Sequence, residues 1–147
     1  MVPTVSDSST PHRLTDLPTW QLSRAAARSH QVLHERLRIA GVTGYEFRVL
    51  AVVADLGPVS QTELGRAAEL DRRDVAVTVR DLEARGMVER TADPAHRQRK
   101  LVSLTALGER TLADLERVIA AVQREVFGAL DDAEMSTLLG YLSRLGG

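Results

Sequence analysis

Cysteine is absent from the 147 residues, which excludes disulfides, thiol redox chemistry, cysteine nucleophiles and thiolate metal sites. Aromatic side chains make up only 3% of the chain, so its core must be aliphatic. Lysine is nearly missing: Lys100 stands alone against 18 arginines. No apolar run approaches the roughly 18 residues that a membrane span needs. Met1–Thr10 carries neither the basic nor the apolar stretch of a secretory leader. These absences predict a cytoplasmic protein with no membrane partner. No Ser/His/Asp order, glycine-rich phosphate loop or metalloprotease motif is visible, so neither a catalytic residue nor a cofactor is expected.

What is present suits one folded domain: 44% hydrophobic and 27% charged residues at a net charge of −1. The charge is unevenly laid out. Between Arg72 and Lys100, eight basic residues face five acids; from Leu101 onward, four arginines face seven acids. The abundance of arginine is first of all a compositional habit, but each guanidinium is a planar, permanently charged fork suited to phosphates and guanine edges.

Residues 1–16, rich in Ser, Thr, Pro and Asp, read as a mobile tail, and residues 17–147 as a single domain. Leu22, Ala26, Leu33 and Leu37 share a helical stripe within residues 17–40. Thr43 with Glu46 has the spacing of a capping box, and Phe47, Leu50, Ala51 and Ala54 follow on one helix face until Gly57-Pro58. Ser60 with Glu63 is predicted to form a second capping box, ahead of Leu64, Ala67 and Ala68. Asp71 is expected to cap a helix with Val75, Val79 and Leu82 inside, which Gly86 ends. Met87–Arg90 and Leu101–Leu104 then read as two strands around the Asp93-Pro94 turn. Thr105 and Asp131 open two last helices, carrying Leu112, Leu115, Ile119, Val122 and Val126, then Met135, Leu138, Leu139, Leu142 and Leu145. Two short helices joined by a tight turn and followed by a basic hairpin make a winged helix-turn-helix layout. The predicted fold is mainly α with a small antiparallel β-wing, its winged core near 43–104 flanked by dimerisation helices near 17–40 and 105–145.

Asp93-Pro94-Ala95-His96-Arg97-Gln98-Arg99, followed by Val102-Ser103-Leu104-Thr105-Ala106-Leu107-Gly108, resembles the wing signature of the MarR (multiple-antibiotic-resistance regulator) family. Leu82–Arg90 is similar to that family's recognition-helix end and first wing strand. The likeness spans about residues 17–145. It implies a homodimeric DNA-binding regulator, with repression relieved by a small ligand. Two positions depart from the pattern. His96 stands where the family has an Asp that braces the arginine entering the minor groove, and Gln98 replaces the second Arg of the pair, so either Arg97 or Arg99 fills that role. Val77 replaces the polar or basic residue of many members.

With Val75, Val79 and Leu82 facing inward, Arg73, Val77 and Arg80 form an outward stripe, with Ala76 beside it. Arginine can bind guanine bidentately, while Ala and Val suit a thymine methyl. Arg72, at the helix start, suits a phosphate, as do Ser60, Gln61 and Thr62. Arg97, Arg99 and Lys100 make a cationic hairpin tip suited to the minor groove. The plainer alternative is a solvated polar surface for the helix stripe and the hairpin tip, and simple helix capping by Ser60 for the Ser60–Thr62 group. His30 and His34, one turn apart, lack further ligands for a metal. With Trp20, Tyr45 and Arg48 they are instead candidates for an effector pocket, taking an aromatic or anionic small molecule; ordinary packing and ion pairing are the alternative. The helices flanking the core carry more apolar surface than one small domain covers, so Leu112, Leu115, Ile119, Val122, Val126, Leu138, Leu142 and Leu145 are expected to meet a two-fold mate. The sequence thus points to a sequence-specific regulator binding double-stranded DNA as a homodimer. A protein-binding winged module and a small helical enzyme are the competing readings.

Overall fold

The computed structural model describes residues 12–147. Seven helices and three short strands follow in the order α1 (His12–Thr15), α2 (Pro18–Ile39), α3 (Gly44–Leu56), β1 (Val59–Ser60), α4 (Gln61–Ala68), α5 (Arg72–Ala84), β2 (Val88–Ala92), β3 (Lys100–Leu104), α6 (Ala106–Phe127) and α7 (Asp132–Gly146). The segment read as a tail thus contains one turn of helix at its end, and residues 1–11 lie outside the described residues.

The helix starts follow their caps. Thr43 Oγ1 accepts from Glu46 N (3.1 Å) and Glu46 Oε1 accepts from Thr43 N (3.2 Å), satisfying two orphan donors reciprocally. Asp131 and Glu134 repeat the arrangement at α7. Thr105 and Asp71 cap α6 and α5 by accepting from Gly108 N and Asp74 N. The box expected at Ser60 is only half made. Ser60 Oγ accepts from Glu63 N (3.3 Å), while the Glu63 carboxylate turns to Arg99.

The core is aliphatic, as the shortage of aromatics requires. Leu37, Val49, Leu50, Val53, Leu64, Val75, Val79, Leu82 and Val102 are each at most 2% exposed, and they join α2, α3, α4, α5 and β3 in one cluster. The sheet has the antiparallel order β1-β3-β2. Val88 pairs with Leu104 and Ala92 with Lys100. On the other edge Val59 and Ser60 pair with Val102 and Leu101. The β1 strand was not foreseen: two residues are too short to show a period, and Ser60 serves the ladder and the α4 cap at once.

Gly108 lets α6 start against the wing. A Cβ there would collide with the Met87 carbonyl oxygen and press on Leu104, and Met87 O is also the acceptor for Thr105 N.

Leu112, Leu115 and Val122 are buried within the chain, so the expectation that they meet a mate is corrected. Leu112 and Leu115 belong to the winged core, with Ile119 packed against it. α7 has no buried residue at all, and Leu22 on the first half of α2 is exposed like Leu139, Leu142 and Leu145. The unpartnered apolar surface therefore lies on α7 and the N-terminal half of α2. Between them runs a groove of about 440 Å³ lined by residues such as Leu22, Ala26, Phe127, Leu130, Leu138 and Leu142.

Candidate nucleic-acid interface

α4 and α5 are drawn together by a turn that only a small residue permits. A Cβ on Gly65 would lie 3.0 Å from Val75 Cγ2 and 3.1 Å from the Leu70 carbonyl oxygen, tighter than ordinary van der Waals contact. Glu69 closes α4 in the left-handed conformation at φ 54°. Leu70 N then donates back to Gly65 O at 2.9 Å, so a buried-side helix end is satisfied.

This turn fixes which face of α5 is free. Val75, Thr78, Val79 and Leu82 are buried. Arg72, Arg73, Ala76, Val77 and Arg80 are all exposed, with Val77 at 39%. Arg72, Arg73 and Arg80 make no ion pair among the described residues. The stripe is the one the sequence predicts. Gln61, Thr62, Arg72 and Ala76 line one open cleft of about 430 Å³ between α4 and α5. Arg66 lines it too and was missed from the sequence, because position in α4 alone does not separate the cleft side from the solvent side. Ser60 does not join them. It is 3% exposed, and its hydroxyl oxygen accepts from Glu63 N.

The hairpin separates the two candidate arginines. Asp93 is buried; its Oδ1 accepts from Ala95 N at 2.9 Å, and its backbone N donates to Arg99 O at 2.8 Å. Arg99 is held from both sides, Nε 3.5 Å from Asp93 Oδ2 and Nη2 3.7 Å from Glu63 Oε1. Arg97 is exposed and has no ion-pair partner among the described residues. Lys100 is exposed at the start of β3. The brace on Arg99 comes from Asp93, three residues before the position where His96 replaces an acid.

Two stronger ion pairs lie behind this surface. Arg85 Nη1 donates to Glu46 Oε2 (2.6 Å) and Nη2 to Gly41 O (2.9 Å), tying the end of α5 to the α2–α3 turn. Arg90 on β2 grips Glu83 on α5 with Nε and Nη2, at 3.0 and 2.9 Å. That bidentate hydrogen bond holds the Glu83 carboxyl below the usual carboxylate range. Both pairs link residues too far apart in sequence for a local pattern to reveal.

The five candidate effector residues are not brought into one pocket. His30 and His34 stack on each other (centroids 6.5 Å) on the exposed surface of α2. Trp20 sits ten residues earlier, about 15 Å along the helix; its Nε1 is enclosed and finds no acceptor among the described residues. Arg48 lies 5.8 Å from the Tyr45 ring centre and donates to Ala68 O at 3.4 Å. None of these residues lines either cavity described above. Within one chain they form three separate local groups.

No helix among the described residues is long and apolar enough to cross a membrane. The MarR family model matches residues 40–99. The chain is 33% identical over 105 residues to a putative transcriptional regulatory protein for the hcr operon of Thauera aromatica, an alignment covering 71% of this chain and 63% of that protein. The chain thus spans under two thirds of that relative's length. It is 30% identical over 104 residues to the transcriptional regulator HosA of Escherichia coli O111:H-, covering 71% of this chain and 77% of HosA. Among solved structures, that of CouR from Rhodococcus jostii RHA1, bound to p-coumaroyl-CoA, superposes with a TM-score of 0.78 at 26% identity, covering 90% of this chain and 93% of CouR.

Proposed function

The chain belongs to the MarR family of transcriptional regulators, and from that premise we propose that it is a ligand-responsive repressor. It binds a pseudo-palindromic operator as a homodimer in the cytoplasm, where the DNA is. One observation carries the reading: Arg73, Val77 and Arg80 stand exposed in a row on α5, and no acid pairs with either arginine among the described residues. An apolar side chain between two unpaired guanidinium groups is poor design for solvation and good design for reading a major groove, where guanine edges and thymine methyls alternate.

The other candidates divide by geometry. Arg72, Gln61, Thr62 and Arg66 around the α4–α5 cleft hold phosphates and set the register. Arg97, with no acid on it, enters the minor groove, while Arg99, fixed by Asp93 and Glu63, stiffens the wing and follows the backbone beside Lys100. The groove between α2 and α7 receives a second copy of the chain. The effector is an aromatic or anionic small molecule. CouR, whose structure holds p-coumaroyl-CoA, supports that class, and Arg48 over Tyr45 offers a cation and a ring. Trp20, His30 and His34 join such a site only if the two-fold partner brings their groups together.

Selection of bound duplexes from a random-sequence pool tests the proposal. Enriched sequences are expected to contain an inverted repeat with half-site centres about 10 base pairs apart, bound by two chains per duplex. Recovery of unrelated sequences, with affinity set by salt alone, would leave the protein-binding module as the better reading.

A further inference from the structure

An acid on the DNA-facing domain needs a reason to be there, because a carboxylate close to phosphates opposes binding. Glu83 lies on the last turn of α5, the helix that carries Arg73 and Arg80. Arg90 takes both of its oxygens in a fork, Nε to Oε2 at 3.0 Å and Nη2 to Oε1 at 2.9 Å. The same guanidinium sends Nη1 to Gln61 Oε1, the first residue of α4, at 3.4 Å. Arg90 itself belongs to β2, the first strand of the wing, and its side chain is 29% exposed. Each of its three nitrogens directs an N–H inside the protein, so it is poorly placed to hold a phosphate.

The geometry assigns Arg90 as a positioning residue for DNA recognition: through Glu83 and Gln61 it locks α5 and α4 to the wing, so that both reading elements meet the duplex as one body. This inference rests on the DNA-binding reading above and adds residues that do not touch DNA bases. Two consequences follow from the contacts. A planar fork is required, since an ammonium cannot match two carboxylate oxygens and an amide oxygen at fixed angles. With Gln61 Oε1 accepting from Arg90, the Gln61 amide NH₂ is left to donate outward, the polarity that a phosphate oxygen accepts.

The two variants Glu83→Gln and Arg90→Lys separate positioning from simple electrostatics. Their affinities are measured on a selected operator and on a scrambled duplex across a salt series, with thermal midpoints recorded alongside. Removing the Glu83 charge should, by electrostatics alone, tighten binding to both duplexes. Positioning demands the opposite on the operator: about tenfold weaker binding, unchanged or tighter binding to the scrambled duplex, and an unaltered salt slope. Arg90→Lys should do the same although it conserves charge, and the double variant should be no worse than either alone. Where Glu83→Gln does not fold, Glu83→Asp keeps the charge and shortens the arm, and the same loss is expected. Tighter operator binding by Glu83→Gln, wild-type affinity in Glu83→Asp or Arg90→Lys, or additive losses in the double variant would overturn the assignment while leaving the DNA-binding reading intact. A wild-type protein that does not distinguish operator from scrambled duplex would overturn both.

Discussion

At the residue scale, the exposed arginines differ in what they are free to do. Arg73 and Arg80 point outward with no acid on them, whereas Arg85, Arg90 and Arg99 are engaged within the protein. Counting charges cannot make that distinction. The eight basic residues between Arg72 and Lys100 look equivalent in a composition, yet three of them, Arg85, Arg90 and Arg99, are held by acids of the protein itself. Arg73→Ala or Arg80→Ala should cost about 1–3 kcal/mol on the operator and far less on random DNA, because the lost contact is to a base edge. Arg97→Ala should weaken both DNAs and lower the salt slope by about one per half-site. Fluorescence anisotropy at several salt concentrations distinguishes these outcomes; equal losses on both DNAs for the α5 variants would remove them from base reading. The α5 stripe was legible because Val75, Val79 and Leu82 fix the helix phase. The cap at Ser60 was legible too, but its burial beside β3 and the bracing of Arg99 were not, since each depends on a neighbour supplied by another element.

At the element scale, boundaries were the most legible feature, because caps are local chemistry: Thr43, Asp71, Thr105 and Asp131 each begin a helix by accepting a backbone N–H. Partners were harder to read. α6 and α7 show the same leucine-rich pattern, yet Leu112 and Leu115 are buried in their own chain while Leu142 and Leu145 are 36% and 71% exposed. Periodicity reports that a helix has an apolar face and not what covers it. The two helices should therefore respond differently to mutation. Leu112→Ala should destabilise the fold by about 2–5 kcal/mol, the usual cost of a large-to-small core change. Leu142→Asp should leave the winged core folded and instead shift the protein toward monomer. Chemical denaturation together with light scattering at micromolar concentration separates the two, and an unchanged dimer in Leu142→Asp would take the interface away from α7.

At the scale of the whole molecule, the account depends on two-fold geometry. One α5 reads only a few base pairs; specificity over a genome requires two, held at a spacing matching the helical repeat of DNA, roughly 34 Å. The basic middle and acidic C-terminal part of the sequence agree with this division, since the winged core carries the cations while α6 and α7 carry acids such as Glu109, Asp114, Glu125 and Asp132. The Glu46–Arg85 pair, with its bond to Gly41 O, joins the end of α5 to the α2–α3 turn. A change in the angle between α2 helices of a dimer would thus be carried to the reading helices. A ligand would release DNA through such a change only if it bound the DNA-incompetent arrangement more tightly. The most direct measurement is the affinity of the wild-type protein for its selected operator before and after five base pairs are inserted between the half-sites. Half a turn of DNA places the second half-site on the opposite face of the duplex, so a fixed two-fold reader should lose roughly 100-fold in affinity and regain most of it when ten are inserted; equal affinity for all three duplexes would contradict the account.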